Sequence, residues 1–436
     1  MRDLTISQSK PFVACLTSIA LPTLAILFPA TLAAFKLAEF LHSDGILFQI
    51  MSLHNATLFY WWQNRLLNVI PFILQPATSP LLNIFLVIFS CSLSFFLLLW
   101  LISCMAQRII INTKNSLFTF IVYTFNVVIC IFFLTERGWV SMALSHPEYS
   151  LAFALGILTI FLFYLSPYKF SVPALIVGFL SLGINPAVIL IFGFFIFFKW
   201  SIFHKISRKD IIFSASLISF FLIWIFISMQ YGSVDNYYHL NLYKILPGFK
   251  KFIIRFTESF ISSHPLYIVG IYILLFLIAI LSSKRLPNVQ RSEIVYVSIA
   301  GILSIFIYSL IISCVPHYNE GGFYPDYFIF DWFIFLFVLS FNFAVFINHS
   351  STKINKIFIL CSLIFCCSLI FFYPKDFNIR NANVYKNCDE IITSGTHFYA
   401  GDYWKIWACM SRDMIDGYDS RSLGFRSLAD KQNIQK

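Results

Sequence analysis

The sequence predicts an all-α polytopic membrane protein with about eleven transmembrane helices. Of its 436 residues, 59% are hydrophobic and only 11% are charged, whereas an ordinary soluble domain carries about 25% charged residues. Apolar runs of about 20 residues, the length that spans the hydrocarbon core of a bilayer, recur along almost the whole chain. These observations together place the chain in a membrane.

Apolar runs between polar residues predict the helices in order. The first begins at Pro11 and continues well past the 7 to 15 residues of a signal-peptide core, so we expect it to be retained. The predicted helices cover residues 11–35, 81–105, 116–134, 150–165, 172–183, 186–200, 211–230, 266–283, 294–315, 327–347 and 357–373. The fifth and sixth are short and meet at Asn185-Pro186, so a broken or re-entrant pair, with nine crossings in all, is the alternative.

Charge predicts the orientation. With the N-terminus inside, inner loops hold fourteen Lys and Arg and outer loops hold seven, the other nine being in the tail. Because inner loops carry the basic excess, the N-terminus is expected to be cytoplasmic and the C-terminus periplasmic. Seventeen of the 20 acidic residues fall on the outer side. The predicted organisation is a transmembrane domain over 1–373 and a periplasmic tail domain over 374–436, with no massed basic patch for nucleic acid.

The first outer loop, residues 36–80, is too apolar to extend into water and is expected to lie on the membrane as amphipathic helices. Glu39 and Asp44 follow the first crossing closely. An acid in this place can serve as general base for an acceptor hydroxyl. The alternative is that these acids only solvate a loop near the headgroups.

Trp61, Trp62 and Arg65 occur further along the same loop. The indole rings offer flat faces for a sugar, and the guanidinium offers a fork for a phosphate, which suits a lipid-linked sugar. Interfacial Trp residues also anchor proteins in membranes, so anchoring is the alternative.

The second outer loop reads "TERGWVSMALSHPEYSL" and contains Arg137, His146 and Glu148. Arg137 is a candidate phosphate ligand, although charges of both signs in so short a loop can instead pair with each other. His146 and Glu148 are candidates for the substrate cleft. They have no third ligand nearby, so we expect no metal.

Further candidates for the cleft lie near the end of the chain. Asp326 and Asp331 belong to "VPHYNEGGFYPDYFIFDW", and Asp331 falls inside the tenth predicted helix, where an ionisable residue usually faces a polar cavity. Asp402 and Trp404 lie in the tail. Lys250, Lys251 and Arg255, in the outer segment 231–265, are either anchors for lipid phosphates or the rim of a substrate site.

Cys388 and Cys409 are the two of ten Cys residues that lie outside the predicted helices and their edges. The periplasm is oxidising, so we expect a disulfide between them, closing a loop of about 20 residues in the tail.

This layout resembles the GT-C superfamily of polyprenyl-phosphate-sugar-dependent glycosyltransferases. The resemblance rests on a first helix running outward, a first outer loop that opens with acids, a short charged second outer loop and the "SHPEYSL" entry into the next helix. Chain size and the Phe- and Ile-rich character are similar to the Gtr-type serotype-converting glucosyltransferases that decorate bacterial O-antigen.

The resemblance implies transfer, with inversion, of a glucosyl unit from undecaprenyl phosphate glucose to the O-antigen of lipopolysaccharide. The reaction would take place on the periplasmic face of the bacterial inner membrane, without a cofactor, and a separate synthase and flippase would supply the donor. In that superfamily an acid of the first outer loop serves the acceptor, and the matching positions are Asp44 and, second, Glu39. Their spacing departs from the paired-acid signature, since His42 intervenes, and leaves the choice open.

Two other classes of membrane protein are alternatives. An O-antigen polymerase or ligase would show one dominant outer loop rich in Arg, whereas here the largest soluble piece is the tail. A lipid-linked-sugar flippase or other transporter would need charges in mid-membrane on several helices. Only Asp331 and Glu136 approach that condition.

Overall fold

In the computed structural model, the described residues are 11–39, 80–111, 116–132, 147–165, 171–203, 206–231, 243, 245–263, 288–313, 329–349 and 352–369, together with short stretches of the tail at 388, 398–402, 409, 412–413 and 421–425. This part of the chain is almost entirely helical. The helices are α1 (Pro11–Glu39), α2 (Pro80–Ile111), α3 (Ser116–Phe132), α4 (Pro147–Leu165), α5 (Val172–Ile184), α6 (Ile189–Phe203), α7 (Arg208–Tyr231), α8 (Ile245–Ser263), α9 (Asn288–Ser313), α10 (Ile329–His349) and α11 (Thr352–Leu369).

Ten of these helices overlap helices predicted from the sequence, with ends that differ by at most six residues. The predicted helix at 266–283 lies outside the described residues. No helix was predicted at 245–263, in the segment assigned to the outer side, and this stretch is helix α8. Its side of the membrane stays a prediction. Within the described residues, two stretches, Ile88–Gln107 and Ile329–Asn348, are helices long and apolar enough to cross a membrane. The predicted total of eleven crossings stays a prediction.

Helices α2 and α10 form the centre of the bundle. Helix α2 packs against α1, α3, α4 and α10, and its Leu98, Leu99 and Ile102 are fully buried. In α10, Phe341 and Ile347 are fully buried as well. Burial of a large apolar side chain contributes about 1.5 to 3 kcal/mol, so these two helices hold most of the described core together.

Large apolar side chains also cover part of the outer surface of the bundle. They occur at helical spacing on five helices: Leu24, Leu27 and Phe28 on α1; Val172, Ile176 and Leu180 on α5; Ile211, Ile218 and Leu222 on α7; Ile299, Ile302 and Phe306 on α9; and Ile357, Leu360 and Ile364 on α11. Exposed apolar surface of this extent is typical of a protein that contacts lipid or another protein.

Helix α5 runs antiparallel to α4. The hydroxyl of Ser181 donates a 2.8 Å hydrogen bond to the carbonyl oxygen of Ala152. Gly178, earlier in α5, lies against Thr159, which is later in α4. A side chain at Gly178 would meet Thr159 Cγ2 at 3.1 Å, so the two helices approach closely because this position has none.

Helix α6 runs parallel to α4 and therefore reverses the direction of α5. Gly156 of α4 lies against both Val188 and Ile191. Phe163, later in α4, shares a small cavity with Phe195, later in α6. The two short helices α5 and α6 are thus the arms of a tight helical hairpin.

Asn185 and Pro186 form the turn of this hairpin. Asn185 has an extended backbone, with φ −147° and ψ 112°, because a residue before proline avoids the helical region. Its side-chain oxygen accepts a 3.0 Å hydrogen bond from the N–H of Ala187, and its own N–H donates to the carbonyl oxygen of Ser181 at 3.0 Å. A 3-10 turn, Pro186–Val188, then leads into α6.

The tail adds two short strands to this helical chain. Strand β1 (Phe398–Asp402) pairs in parallel with β2 (Arg421–Phe425), with Phe398 opposite Arg421. This pair departs from the all-α fold class expected from the sequence. Cys388 and Cys409 are joined in a disulfide, the pairing expected from the sequence, with their Cα atoms 5.1 Å apart. Both are buried and belong to the hydrophobic cluster that also forms the centre of the helical bundle.

Candidate functional site

The starts of α4 and α10 lie together at one end of the bundle, which we call the Asp331 end. Phe153, in the second turn of α4, contacts Phe330 and Phe333 with ring centroids 5.7 and 4.7 Å apart. Tyr308, near the end of α9, also contacts Phe330, with centroids 4.7 Å apart. The end of α9 therefore meets the starts of α4 and α10 here.

Asp331 lies in the first turn of α10 and is the most unusual polar side chain at this end. It is only 1% exposed, and neither carboxylate oxygen has a hydrogen-bond partner within the described part of the chain. A buried polar group without a partner costs about 1 to 3 kcal/mol, and more when it is charged. Because folding alone does not compensate this cost, such a group points to a polar ligand.

The buried location of Asp331 follows from the residues around it. Phe330, Trp332 and Phe333 are each less than 5% exposed, so the whole first turn of α10 around Asp331 is buried. Its placement in a helix near one end of an apolar stretch agrees with the sequence-based prediction. The functional part of that prediction, a polar cleft, stays a prediction.

The structure gives only backbone positions for three further predicted residues. Glu39 is the last residue of α1, Glu148 is the second residue of α4, and Asp402 is the last residue of β1. Glu39 and Glu148 both lie in the end turns of helices, because α1 and α4 extend a few residues beyond the apolar runs that predicted them. Their position on the outer side stays a prediction. Since α4 and α10 start at the same end, the structure brings the backbone of Glu148 and Asp331 to one end of the bundle.

The remaining predicted site residues lie outside the described residues. They are Asp44, Trp61, Trp62, Arg65, Arg137, His146, Asp326 and Trp404. Their roles stay predictions. Within the described ranges, His, Cys, Asp and Glu form no group of three that could hold a metal ion.

A second buried acid, Asp210, lies in the first turn of α7 and has a structural role. Its carboxylate accepts a 2.7 Å hydrogen bond from the N–H of Ser207. In return, the N–H of Asp210 donates a 3.3 Å hydrogen bond to the hydroxyl oxygen of Ser207. This reciprocal pair is a capping box, which satisfies the free N–H groups at a helix start. Asp210 therefore contrasts with Asp331, since its carboxylate is used within the fold.

Helix α8 is a basic amphipathic helix that the sequence-based prediction missed. Phe252 is 1% exposed, and Phe249 contacts Phe306 of α9 with ring centroids 5.4 Å apart. Lys250 and Lys251 are exposed. Periodicity could have revealed the helix, because the apolar residues of 245–260 recur at helical spacing between the charged ones.

Small cavities occur between the helices, but they are not substrate sites. One, of about 20 Å³, lies among α4, α6 and α7 and is bordered by Phe163, Phe195 and Asp210. Another of about 20 Å³ lies among α2, α4, α6 and α10. A space of this size holds one water molecule, whereas ligand pockets occupy about 300 to 1,000 Å³.

Comparison with family models, with curated proteins and with solved structures gives no match to this chain. The resemblance to the GT-C superfamily therefore stays a prediction.

Proposed function

We propose that this chain is a polytopic glycosyltransferase of the bacterial inner membrane that moves a glucosyl unit from undecaprenyl phosphate glucose to O-antigen on the periplasmic face. The observation that carries the proposal is the buried carboxylate of Asp331, at the start of an apolar helix, which has no hydrogen-bond partner among the described residues. A sugar presents several hydroxyl donors, and these are the partners that such a group lacks.

The membrane part of the proposal is supported by the surface of the bundle. Large apolar side chains are exposed on α1, α5, α7, α9 and α11, and two helical stretches within the described residues have the length and composition of a membrane span. Lipid is the simplest environment for apolar surface on five helices at once.

The chemistry needs three contributions from the protein. The lipid phosphate of the donor is itself the leaving group, so the protein supplies a base for the acceptor hydroxyl, a cation for the phosphate and a cleft for the sugars. Asp44 or Glu39 is proposed as the base, and Arg65 and Arg137 as phosphate ligands. Asp331 is proposed to line the cleft, where a buried carboxylate accepts hydrogen bonds from hydroxyl groups.

The positions of the buried charges fit a flippase or transporter less well than a glycosyltransferase. In the described part of the bundle, the buried charged side chains are Asp210 and Asp331, both in the first turn of a helix. A transport pathway through the bilayer would place charges near the middle of several helices.

Expression in an O-antigen-producing strain tests the proposed function. We expect sugar and linkage analysis of the polysaccharide to find added hexose only in cells that carry the gene. Asp44→Asn removes the base and keeps the shape, so it should reduce the transfer by about 100-fold or more at matched protein level. Asp235→Asn, another acid of the predicted outer side, is the matched control and should have no effect.

The possible outcomes separate the parts of this proposal. An unchanged polysaccharide in cells with abundant wild-type protein would exclude the proposed transfer. Loss of transfer in Glu39→Gln, with normal transfer in Asp44→Asn, would assign the base to Glu39. Reporter fusions at residues 205 and 390 should report cytoplasm and periplasm respectively, and the same side for both would contradict the proposed orientation.

A further inference from the structure

A second buried polar group, the side-chain amide of Asn185, lies at the Asp331 end of the bundle. Asn185, in the turn between α5 and α6, is 3% exposed, and its side-chain nitrogen has no hydrogen-bond partner among the described residues. Its side-chain oxygen is occupied, because it accepts from the N–H of Ala187. Asn185 therefore has a donor to offer, whereas Asp331 has two acceptor oxygens.

Both groups lie beside the same short stretch of α4. Ser181, four residues before Asn185, hydrogen-bonds to Ala152, and Val188, three residues after it, lies against Gly156. Within the same stretch, Phe153 contacts Phe330, the neighbour of Asp331. The turn and the start of α10 are therefore at a similar depth in the bundle.

Helices α6 and α10 also approach each other directly. Phe194 and Phe195 of α6 contact Phe337 of α10, with ring centroids 5.6 and 5.2 Å apart. Helix α6 runs parallel to α4, as described above. Helix α10 does so too, because Phe333 contacts Phe153 near the start of α4, whereas Phe337, one turn later, contacts Phe195, which shares a cavity with Phe163 near the end of α4. The starts of α6 and α10 are consequently neighbours at the Asp331 end.

The ends of neighbouring helices surround this level of the bundle. Ser181 and Val188, which flank the turn, contact Ala152 and Gly156, five and nine residues after the start of α4 at Pro147. Asn185, at the tip of the hairpin, lies closer to the start of α4 than Ser181 does, because α5 runs antiparallel to α4. Helix α9 continues five residues past Tyr308 to Ser313, or about 7 Å beyond the contact with Phe330.

We propose that Asn185 and Asp331 form a sugar-binding pair at this end of the bundle, where Asn185 donates a hydrogen bond to one hydroxyl oxygen and Asp331 accepts from hydroxyl groups of the same sugar. The inference rests on the proposed function, since it assigns the place where the transferred sugar is held. Both groups are shielded from water, which strengthens each hydrogen bond to a ligand and penalises a ligand that lacks the hydroxyl.

Binding of two lipids to the full-length protein in nanodiscs tests this pair. The probes are a short-chain polyprenyl phosphate glucose and the same polyprenyl phosphate without glucose. We expect the wild-type protein to bind the glucosylated lipid at least about tenfold more tightly, the effect of one or two buried hydrogen bonds. Equal affinity for the two lipids would overturn the proposal.

Two variants test whether the difference in affinity between the two lipids comes from Asn185 and Asp331. Asn185→Asp keeps the oxygen that caps Ala187 and removes the amide donor, and Asp331→Asn keeps the shape of the side chain and removes one acceptor. Each should remove most of the preference for the glucosylated lipid and leave the affinity for polyprenyl phosphate unchanged. That second affinity also shows that the variant is folded.

Asn342→Asp is the matched control. Asn342 is likewise buried, with a side-chain oxygen that lacks a partner among the described residues, but it lies eleven residues further along α10, or about 16 Å deeper. It should keep the full preference for the glucosylated lipid. If Asn185→Asp and Asp331→Asn both keep the preference for the glucosylated lipid, the sugar is bound elsewhere and the pair is overturned. Sugar transfer in cells tests the proposed function separately, so the two results are distinguishable.

Discussion

Ser340 of α10 donates a 2.7 Å hydrogen bond to the side-chain oxygen of Asn126 of α3, in the middle of the bundle and far from the Asp331 end. The side-chain nitrogen of Asn126 donates in turn to Ser103 of α2 at 2.9 Å. All three residues are fully buried. One amide therefore connects three core helices, and both of its ends are satisfied.

This connection predicts a measurable coupling between Asn126 and Ser340. Asn126→Ala and Ser340→Ala should each destabilise the purified protein, and the double variant should lose less than the sum of the two. The expected coupling is about 0.6 to 1.7 kcal/mol, the range of hydrogen bonds between membrane helices. Unfolding of the four proteins in mixed detergent micelles measures it, and strictly additive losses would show that the bond contributes nothing.

The close approach of α4 to the turn that leads into α6 predicts a loss of stability when a methyl group is added at Gly156. A Cβ atom there would lie 2.7 Å from Val188 Cγ1, so Gly156→Ala should lower the free energy of unfolding by about 1 to 3 kcal/mol. Gly193→Ala is the matched control, because a Cβ atom at that position meets nothing within 4 Å. Thermal unfolding should separate the two variants, and equal stability would contradict the packing of α4 on α6.

The disulfide predicts that the stability of the tail depends on oxidation of its two cysteines. Removing the bond between Cys388 and Cys409, which lie 21 residues apart, should cost about 3 kcal/mol in the chain-entropy model. Cys388→Ser should therefore increase proteolysis of the tail, whereas Cys361→Ser, at an exposed free thiol of α11, should not. Reaction of both Cys388 and Cys409 with a membrane-impermeant maleimide in unreduced cells would contradict the bond.

The exposed lysines of α8 predict contact with anionic lipid. Leu246 and Ile253, two helical turns apart, are 79% and 44% exposed, and exposed Lys250 and Lys251 lie between them. A photoreactive phosphatidylglycerol should label α8 more than a phosphatidylcholine analogue does, because each lysine near a charged surface contributes about a fivefold preference.

Replacement of both lysines by Gln should make the labelling of α8 by the two lipids equal. Arg208→Gln combined with Lys356→Gln removes two exposed charges from other helices and should leave the labelling of α8 unchanged. Equal labelling of the wild-type helix by the two lipids would rule out this contact.

The apolar runs were sufficient to locate the helices of the core, because α2 and α10 contain few polar residues to interrupt them. The same criterion missed α8, since Lys250, Lys251, Arg255 and Glu258 lower the hydropathy of any window long enough for a crossing. The hairpin was foreseen as an alternative because proline at 186 ends a helix locally.

Long-range pairings could not be predicted from the sequence. Asn126 and Ser340 are 214 residues apart, and the parallel partners Phe398 and Arg421 follow no local pattern. For the candidate site, the position of Asp331 inside a helix could be predicted, because this acid interrupts an apolar run. That the Asn185 turn lies at the same end of the bundle could not be predicted, because it depends on the parallel course of α4, α6 and α10.

The arms of the hairpin are short: α5 has 13 residues and α6 has 15, which correspond to about 20 and 22 Å at 1.5 Å per residue. The hydrocarbon core of a bilayer is about 30 Å thick, so α5 is about 10 Å shorter than the core, which is a hydrophobic mismatch. Val172, Ile176 and Leu180 of α5 are exposed on the surface of the bundle. Such a mismatch is relieved by local thinning of the bilayer. In a membrane, the headgroups beside α5 would consequently lie closer to the level of Asn185, which would shorten the distance between a lipid headgroup and the proposed pair.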